Sequence, residues 1–295
     1  MNAEDCTNPA FGSGWTEKKL NILAAYLSKY NTVLKKQSFT RVYLDAFAGT
    51  GYRKKREREF AVRGIFADIE EEEPQRFLKG SAKRSLEVEP PFHKYIFVES
   101  DPAKVRALTR LKQEHKSKAG AITIVKDDAN KFVRKYCRAE NWRTTRAVVF
   151  LDPFATEVAW TTIKAVASTR AIDVWILFPL MAINRLLAKD PQKACWDRLT
   201  DVFGTEEWFE RFYSTSRRNT IFGKPLKVIR KRCNFRQIGE FYRERLQAIF
   251  AGVCQKPTVF RNSRRSPLFQ LFFAAGNARG APIALRIADH LLRNI

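Results

Sequence analysis

Apolar positions near the start of the chain recur every three or four residues. Leu20, Leu23 and Leu27 follow this spacing, and Thr16 ahead of them is of a residue type that caps helices. The pattern therefore predicts an amphipathic helix over about residues 16–30.

Beyond that helix, five short apolar segments rich in β-branched and aromatic residues alternate with helical stretches. Such segments are typical of strands that are covered on both faces. Strands that alternate with helices predict a parallel, doubly wound α/β sheet. The strands are expected at about 41–47, 94–100, 121–125, 147–152 and 172–178, and the helices at about 81–88, 102–116, 128–138 and 161–169.

The alternation stops after the fifth strand. Residues 184–236 hold a helical run and then a basic stretch, and a helix is expected around 238–250. Segments 258–262 and 268–275 are expected to form a hairpin, followed by a last helix over about 281–293. Five parallel strands followed by a late hairpin is the order of the Rossmann-like, seven-stranded class I methyltransferase sheet.

These elements suggest one large α/β domain with an insertion, for which the chain is long enough. Residues 1–183 are expected to form the Rossmann-like core, with a charged surface excursion at 52–79. Residues 184–236 are the helical and basic insertion. Residues 237–295 supply the C-terminal helix, hairpin and final helix that complete the core sheet.

Charge points to a polyanionic partner. Among its 295 residues the chain has 54 Lys and Arg against 31 Asp and Glu, a formal net charge of +23 at pH 7. Such an excess is typical of proteins that bind nucleic acid, DNA or RNA, although a generally basic, solvated surface is the alternative. The insertion holds the candidate nucleic-acid-binding residues: Arg217, Arg218, Lys224, Lys227, Arg230, Lys231, Arg232 and Arg236.

Cysteine usage and the termini narrow the class further. The five cysteines are scattered without a C-x-x-C pair, and there are three histidines, so we expect no metal site in this chain. The N-terminus lacks the basic and apolar regions of a signal peptide. No apolar run approaches the roughly 20 residues that span a bilayer. We therefore expect a cytoplasmic protein with no membrane association.

The first candidate chemical motif lies where the first strand ends, from Asp45 through Phe47 to Gly49 and Gly51. Glycines let the backbone approach a ligand closely because they have no Cβ and tolerate positive φ. In enzymes that use S-adenosylmethionine (SAM), this loop cradles the methionine part and the ribose. The alternative is a tight turn between strand and helix.

Two acids follow the next two strands. Glu99 ends the second strand and could accept hydrogen bonds from both ribose hydroxyls. Asp128 follows the third strand and could accept from the adenine amine, cap the next helix, or do both. The glycine loop and these acids at successive strand ends together predict a SAM site, because ligands of open α/β sheets bind at those ends.

The fourth strand ends in Asp152-Pro153-Phe154, the candidate catalytic residues. Methyltransferases that act on amines of nucleic acids carry Asp/Asn-Pro-Pro-aromatic at this place. The carboxylate and the Pro153 carbonyl could accept from an exocyclic amine, while Phe154 stacks on the unpaired base. The alternative is a turn with a buried Phe.

Several motifs spread over nearly the whole chain resemble a known family, the three-Cys-motif partner proteins. The resemblance implies a bacterial protein with a class I methyltransferase fold and, as its partner, a radical-SAM-like three-cysteine iron–sulfur protein. Those cysteines would belong to the partner. The motifs are 15–20, Asp45 to Gly51, Gly80-Ser81, 150–154, Leu177-Phe178-Pro179, Asn184-Arg185, Arg261-Asn262-Ser263, Pro267-Leu268 and Ala274 to Asn277.

This sequence departs from the family where Phe154-Ala155 replaces a frequent Tyr-Gly, which keeps stacking and loses a phenol hydroxyl. The Leu151-to-Phe154 segment also resembles tRNA guanine-N2 dimethyltransferases, so a guanine amine is a candidate target beside adenine or cytosine. The leading hypothesis is a SAM-dependent methyltransferase acting on a base amine. A non-catalytic accessory protein that presents nucleic acid to its partner is the second. A nuclease would need a cluster of carboxylates with a lysine, which the sequence does not bring together.

Overall fold

A computed structural model describes residues 14–48, 80–153, 155–218, 226–262 and 264–294. The helices in these ranges are α1 (Gly14–Leu34), α2 (Ser81–Leu86), α3 (Pro102–Glu114), α4 (Ala129–Ala139), α5 (Trp160–Ser168), α6 (Leu180–Leu186), α7 (Trp196–Phe203), α8 (Trp208–Phe212), α9 (Phe235–Gln247) and α10 (Ala281–Arg293). The strands are β1 (Thr40–Asp45), β2 (Lys94–Val98), β3 (Ile122–Val125), β4 (Thr145–Leu151), β5 (Ile172–Phe178), β6 (Tyr213–Arg218), β7 (Leu226–Lys231), β8 (Gly252–Val253), β9 (Thr258–Arg261) and β10 (Pro267–Ala275).

The central sheet runs in the order β3-β2-β1-β4-β5-β10, with β8 and β9 on the outer side of β10. Strands β1 to β5 are parallel, and β10 is antiparallel to β5. β8 pairs with the end of β10 and β9 with its beginning, so these two short strands share one place in the sheet. The sheet thus has seven strand positions, and β10 in the sixth position is antiparallel to the five strands before it. This arrangement confirms the class I methyltransferase sheet.

Alternate side chains of the strands feed two separate cores. Val42 and Leu44 of β1 pack on the face covered by α4, α5 and the helices of the insertion. Tyr43 between them points to the opposite face, which α1, α2, α3 and α10 cover. Because successive strand residues face opposite sides, a sheet covered on both faces needs apolar residues at nearly every position. That requirement explains why these strands are continuous apolar runs.

The basic insertion differs from its sequence prediction. The sequence predicts a helical run followed by a basic stretch without an assigned strand, whereas β6 and β7 form an antiparallel hairpin of their own. The hairpin was missed because it lies outside the central sheet and carries hydroxyl and cationic side chains in place of an apolar run. Ahead of it, Phe203 and Trp208 join the same core as Phe178 of β5.

Gly276, directly after β10, offers a test of this packing. A Cβ there would lie 2.3 Å from the carbonyl oxygen of Ile172, and that oxygen belongs to a rigid strand. Gly276→Ala is therefore expected to lower the free energy of unfolding by about 1–3 kcal/mol in urea denaturation. Gly120→Ala is the matched control, because a Cβ at Gly120 would meet nothing within 4 Å. Equal stability of the two variants would contradict the close approach.

Candidate functional site

Four acids lie together at one edge of the sheet. Since β1 to β4 are parallel, the residues that follow them share the carboxyl edge, and β1 lies between β2 and β4. Asp45 ends β1, Glu99 follows β2, Asp128 follows β3 and Asp152 follows β4. The sequence prediction that these strand ends meet at one place is in line with this topology.

The loop after β1 is held by both neighbouring strands. The Ala46 amide donates to the Phe150 carbonyl at 3.1 Å, and the Ala48 amide donates to the Val98 carbonyl at 3.0 Å. The loop therefore begins directly beside Glu99, which follows Val98. Gly49 and Gly51, the two glycines of the motif, lie outside the described residues.

Asp45 is fully buried, and its side chain binds the backbone of this loop. Its Oδ1 accepts from the Phe47 amide at 3.2 Å, and its Oδ2 accepts from the Tyr43 hydroxyl at 3.4 Å. Burial, together with the nearby charge of Asp152, raises the pKa of Asp45 to about 7, against the opposing influence of the Ser81 hydroxyl. Asp45 thus supports the backbone that would contact a ligand.

Glu99, the acid predicted to bind a ribose, is buried at the carboxyl edge, and its contact with a ribose stays a prediction. Its amide donates to the Val125 carbonyl at 3.0 Å, which fixes the backbone at the edge. Its Oε1 accepts from the Asp101 amide at 2.8 Å and from the Ser100 hydroxyl at 3.4 Å. Within the described residues these are its hydrogen bonds, so Oε2 remains for a ligand. Burial raises the pKa of Glu99.

Asp128 caps α4. Its Oδ1 accepts from the Lys131 amide at 2.8 Å, which is one of the two roles that the sequence predicts for this residue. The side chain is exposed, so Oδ2 faces solvent at the carboxyl edge. Its contact with an adenine amine stays a prediction.

Asp152 is paired with a lysine that the sequence analysis assigned no role. Lys19 Nζ donates to Asp152 Oδ2 at 2.6 Å, with the lysine side chain 1% exposed and the aspartate 17% exposed. The ammonium also lies 5.3 Å from the ring centre of Trp15 and 6.0 Å from that of Phe150. One signal was available in the sequence: Lys19 falls four residues before Leu23, on the apolar face of α1.

The structure thus assembles Asp45, Asp152 and Lys19 into one cluster, the kind of grouping that the sequence did not reveal. Within the described residues no group of three or more His, Cys, Asp or Glu could hold a metal ion. Lys19 is ion-paired with Asp152, and both charges act on the buried Asp45.

Pro153, next to Asp152, is buried and lines a small apolar cleft with Phe178 and Tyr242. The segment that follows is tied to α4. Asn130 Nδ2 donates to the Glu157 carbonyl at 2.8 Å, and Asn130 Oδ1 accepts from the Ala159 amide at 3.0 Å. Phe154, the third candidate catalytic residue, lies outside the described residues.

The candidate nucleic-acid-binding residues divide into two groups. Arg217, Arg230 and Arg232 are exposed, and so is Arg236, 3.7 Å from Glu240. Lys231 instead turns inward, and its Nζ donates to the backbone and side-chain oxygens of Asn184 at 2.7 and 2.8 Å. Arg218 and Lys227 lie on the hairpin strands, and Lys224 lies outside the described residues.

Comparisons with known proteins give fold-level likenesses. Family models and curated proteins contain no match. Among solved structures, LPL1258 of Legionella pneumophila is 11% identical over 95% of this chain and 92% of its own, with a TM-score of 0.47. Spermidine synthase of Thermotoga maritima is 12% identical over 90% and 60%, with a TM-score of 0.39. The Escherichia coli protein yhhF, provisionally named a methyltransferase, is 14% identical over 71% and 86%, with a TM-score of 0.30.

Because these TM-scores lie below 0.5, the fold class rests on the strand order of this sheet and not on the likenesses. The resemblance to three-Cys-motif partner proteins stays a prediction. Within the described ranges, no helix is long and apolar enough to span a membrane.

The Lys19–Asp152 pair predicts a strong energetic coupling. Lys19→Met leaves Asp152 without its cation, and we expect a loss of about 2–4 kcal/mol in the free energy of unfolding. Adding Asp152→Asn removes the unpaired charge and should recover part of that loss. Arg211→Met breaks an exposed pair with Glu244 of 2.9 Å and is the control, with an expected cost below about 1 kcal/mol. Simple additivity of the two site substitutions would show that the pair is not coupled.

Asp45 predicts a dependence of stability on pH. An acid whose pKa is raised to about 7 by folding loses stability as pH rises from about 4 to 7, because only the unfolded chain ionises there. Asp45→Asn keeps an acceptor for Phe47 and removes this titration. It should match the wild type near pH 4 and exceed it by about 2–4 kcal/mol at pH 8.

Thermal or urea denaturation across this pH range measures the difference between Asp45→Asn and the wild type. The exposed Asp197→Asn substitution removes the same charge and controls for net charge. A constant difference between pH 4 and pH 8 would mean that Asp45 does not titrate as a buried acid.

Proposed function

We propose that this chain is a SAM-dependent methyltransferase that methylates an exocyclic amine of a nucleic-acid base. One observation carries the proposal: the loop after β1 begins beside Glu99, and Asp152 ends the strand on the loop's other side. In a sheet of this order, a ligand at the β1 edge lies between the two acids. Ligands of open α/β sheets bind at such carboxyl edges.

The residues of this edge fit SAM. Glu99 Oε2 has no hydrogen bond in the described residues and is proposed to accept from ribose hydroxyls. Asp128 is exposed after β3, the strand next to β2, and is proposed to accept from the adenine amine. Gly49 and Gly51 are expected to complete the cradle. SAM would supply a methyl group bound to a positively charged sulfonium sulfur. The rest of SAM would leave as a neutral thioether, so the methyl group needs no further activation.

Asp152 would orient the substrate amine that accepts the methyl group. Asp152 Oδ2 accepts a hydrogen bond from Lys19. Asp152 Oδ1 accepts none within the described residues, and we propose that it accepts from an N–H of the substrate. The ion pair holds the carboxylate in place at a partly exposed position. A fixed acceptor aims the nitrogen lone pair, and such positioning is a large part of catalysis in reactions of this kind. Pro153 is proposed to accept through its carbonyl, and Phe154 to stack on the base.

The partner is proposed from charge. A net charge of +23 and the exposed arginines of the β6–β7 hairpin favour a polyanion, DNA or RNA. Association with a radical-SAM-like three-Cys iron–sulfur protein is proposed on the motif resemblance, together with a bacterial, cytoplasmic setting.

Calorimetry with SAM and its demethylated product tests the cofactor site. Each charge-assisted hydrogen bond contributes about 1.5–3 kcal/mol, so Glu99→Ala should weaken SAM binding at least roughly tenfold. Glu87→Ala, an exposed acid paired only with Lys83 in the described residues at 3.7 Å, is the control. A wild-type protein without SAM affinity would end this part of the proposal.

Transfer of a tritiated methyl group to mixed DNA and RNA tests the reaction. Asp152→Ala should abolish transfer while leaving SAM binding nearly intact, because Asp152 acts on the base. The assay is run with and without the iron–sulfur partner. If wild type and Asp152→Ala are equally inactive while SAM still binds, the catalytic role fails. The accessory protein that presents nucleic acid then takes its place.

A further inference from the structure

The turn between β9 and β10 lies on the same edge as the candidate site. β10 is antiparallel to the five parallel strands, and Gln270 near its beginning pairs with Phe178, the last residue of β5. The first residues of β10, and the turn before them, therefore lie at the carboxyl edge. Arg261 and Asn262 of the Arg261-Asn262-Ser263 motif lie at this turn, and Ser263 lies outside the described residues. The proposed cofactor site and the proposed catalytic residues do not include this motif.

Aromatic packing connects the turn to the charged cluster. Trp15 of α1 stacks on Phe269 with ring centres 5.2 Å apart and packs on Phe260 at 5.8 Å. Its ring is also 5.3 Å from Lys19 Nζ, which binds Asp152. The two strands that hold the turn are thus one aromatic contact away from the Lys19–Asp152 pair.

Four hydrogen bonds among Arg261, Asn262, Arg265 and Ser266 hold the backbone of the turn. The Asn262 amide donates to the Ser266 carbonyl at 3.0 Å, and the Ser266 amide donates back to Asn262 Oδ1 at 2.8 Å. The Arg265 amide donates to the Asn262 carbonyl at 2.9 Å, and Arg261 Nη1 donates to the Arg265 carbonyl at 2.9 Å. These bonds fix the backbone from which Arg264 and Arg265 project.

Three arginines are exposed on this turn: Arg261, Arg264 and Arg265. Across the described residues no carboxylate lies within 4 Å of them to form an ion pair. Arg265 has φ +60°, a left-handed conformation that is unfavourable for most residues and that glycine or asparagine would accept readily. Three cations without an ion-pair partner in the described residues are therefore exposed together on a turn at the carboxyl edge, where an anionic partner can reach them.

We propose that the arginine turn, defined by the exposed Arg261, Arg264 and Arg265, binds the phosphodiester backbone of the nucleic-acid substrate. Guanidinium groups recognise phosphate oxygens through paired N–H donors. The β6–β7 hairpin is anchored to α6 through Lys231 and Asn184, and α6 directly follows β5. The arginine turn and the base of the hairpin thus both lie toward the carboxyl end of β5, and Asp152 follows the neighbouring strand β4. The inference rests on the proposed nucleic-acid substrate.

A charge-matched pair of double variants tests this surface. The turn variant combines Arg265→Gly with Arg264→Gln, and glycine there relieves the positive φ. The control combines Arg170→Gly with Arg143→Gln. Arg170 is also exposed with φ +52°, but it precedes β5, as Arg143 precedes β4, so both lie at the opposite edge. Each variant loses two cations, and both should keep the melting temperature of the wild type.

Binding of a fluorescent single-stranded 20-mer, RNA and DNA in turn, is measured by anisotropy over a series of KCl concentrations without SAM. The slope of log K against log [KCl] is negative, and in the turn variant it should become less steep by about 0.7 for each phosphate that the protein no longer binds. The control should keep the wild-type slope. Equal slopes in the two variants overturn the inference. Arg264→Gln alone, whose side chain makes no hydrogen bond in the described ranges, repeats the test if the turn variant fails to fold.

Other outcomes separate this inference from the proposed function. If the wild type transfers no methyl group and the turn variant still shows a reduced salt dependence, the methyltransferase proposal fails and the phosphate-binding turn stands. If the wild type transfers methyl groups and both variants bind alike, the turn proposal fails by itself. Vesicles of phosphatidylglycerol and phosphatidylcholine form the last arm. Loss of vesicle binding without loss of oligonucleotide binding would assign the turn to a lipid surface and overturn the proposal.

Discussion

Helix α1 is fixed to the sheet by two polar contacts, one near each edge, and the site depends on the first of them. Burying a lysine almost completely is costly unless its charge is paired, and Lys19 meets Asp152 at the carboxyl edge. Seven residues later, the Tyr26 hydroxyl donates to Asp173 Oδ2 at 2.7 Å, at the start of β5. With both contacts made, α1 has one position along the strands, which also brings Trp15 onto the β9–β10 hairpin.

The order of strands and helices could be predicted from the sequence because each element carries its own pattern. The expected β5 and final helix have the bounds that the structure gives them, 172–178 and 281–293, since both are long and strongly patterned. The predicted first helix was too short at both ends. The β6–β7 hairpin was missed because its stability does not come from an apolar strand.

The candidate site was predictable only where it depends on strand ends. The positions of Asp45, Glu99, Asp128 and Asp152 at one edge follow from topology, which the pattern of elements supplies. The Lys19–Asp152 pair joins residues separated by 133 positions, and no local pattern specifies such a contact. Burial of Asp45 and capping by Asp128 likewise depend on packing and on helix bounds, so their functional meaning could not be distinguished from the sequence.

Because β8 and β9 share one position in the sheet, the edge that they form affects whether two molecules of this protein can associate through their strands. An exposed edge strand offers unpaired amides and carbonyls on which another chain can extend the sheet. On one side of this sheet the outermost strands are two and four residues long with a break between them, and on the other side β3 has four residues. Within the described part of the chain, neither edge therefore presents a long, straight strand on which another molecule could extend the sheet.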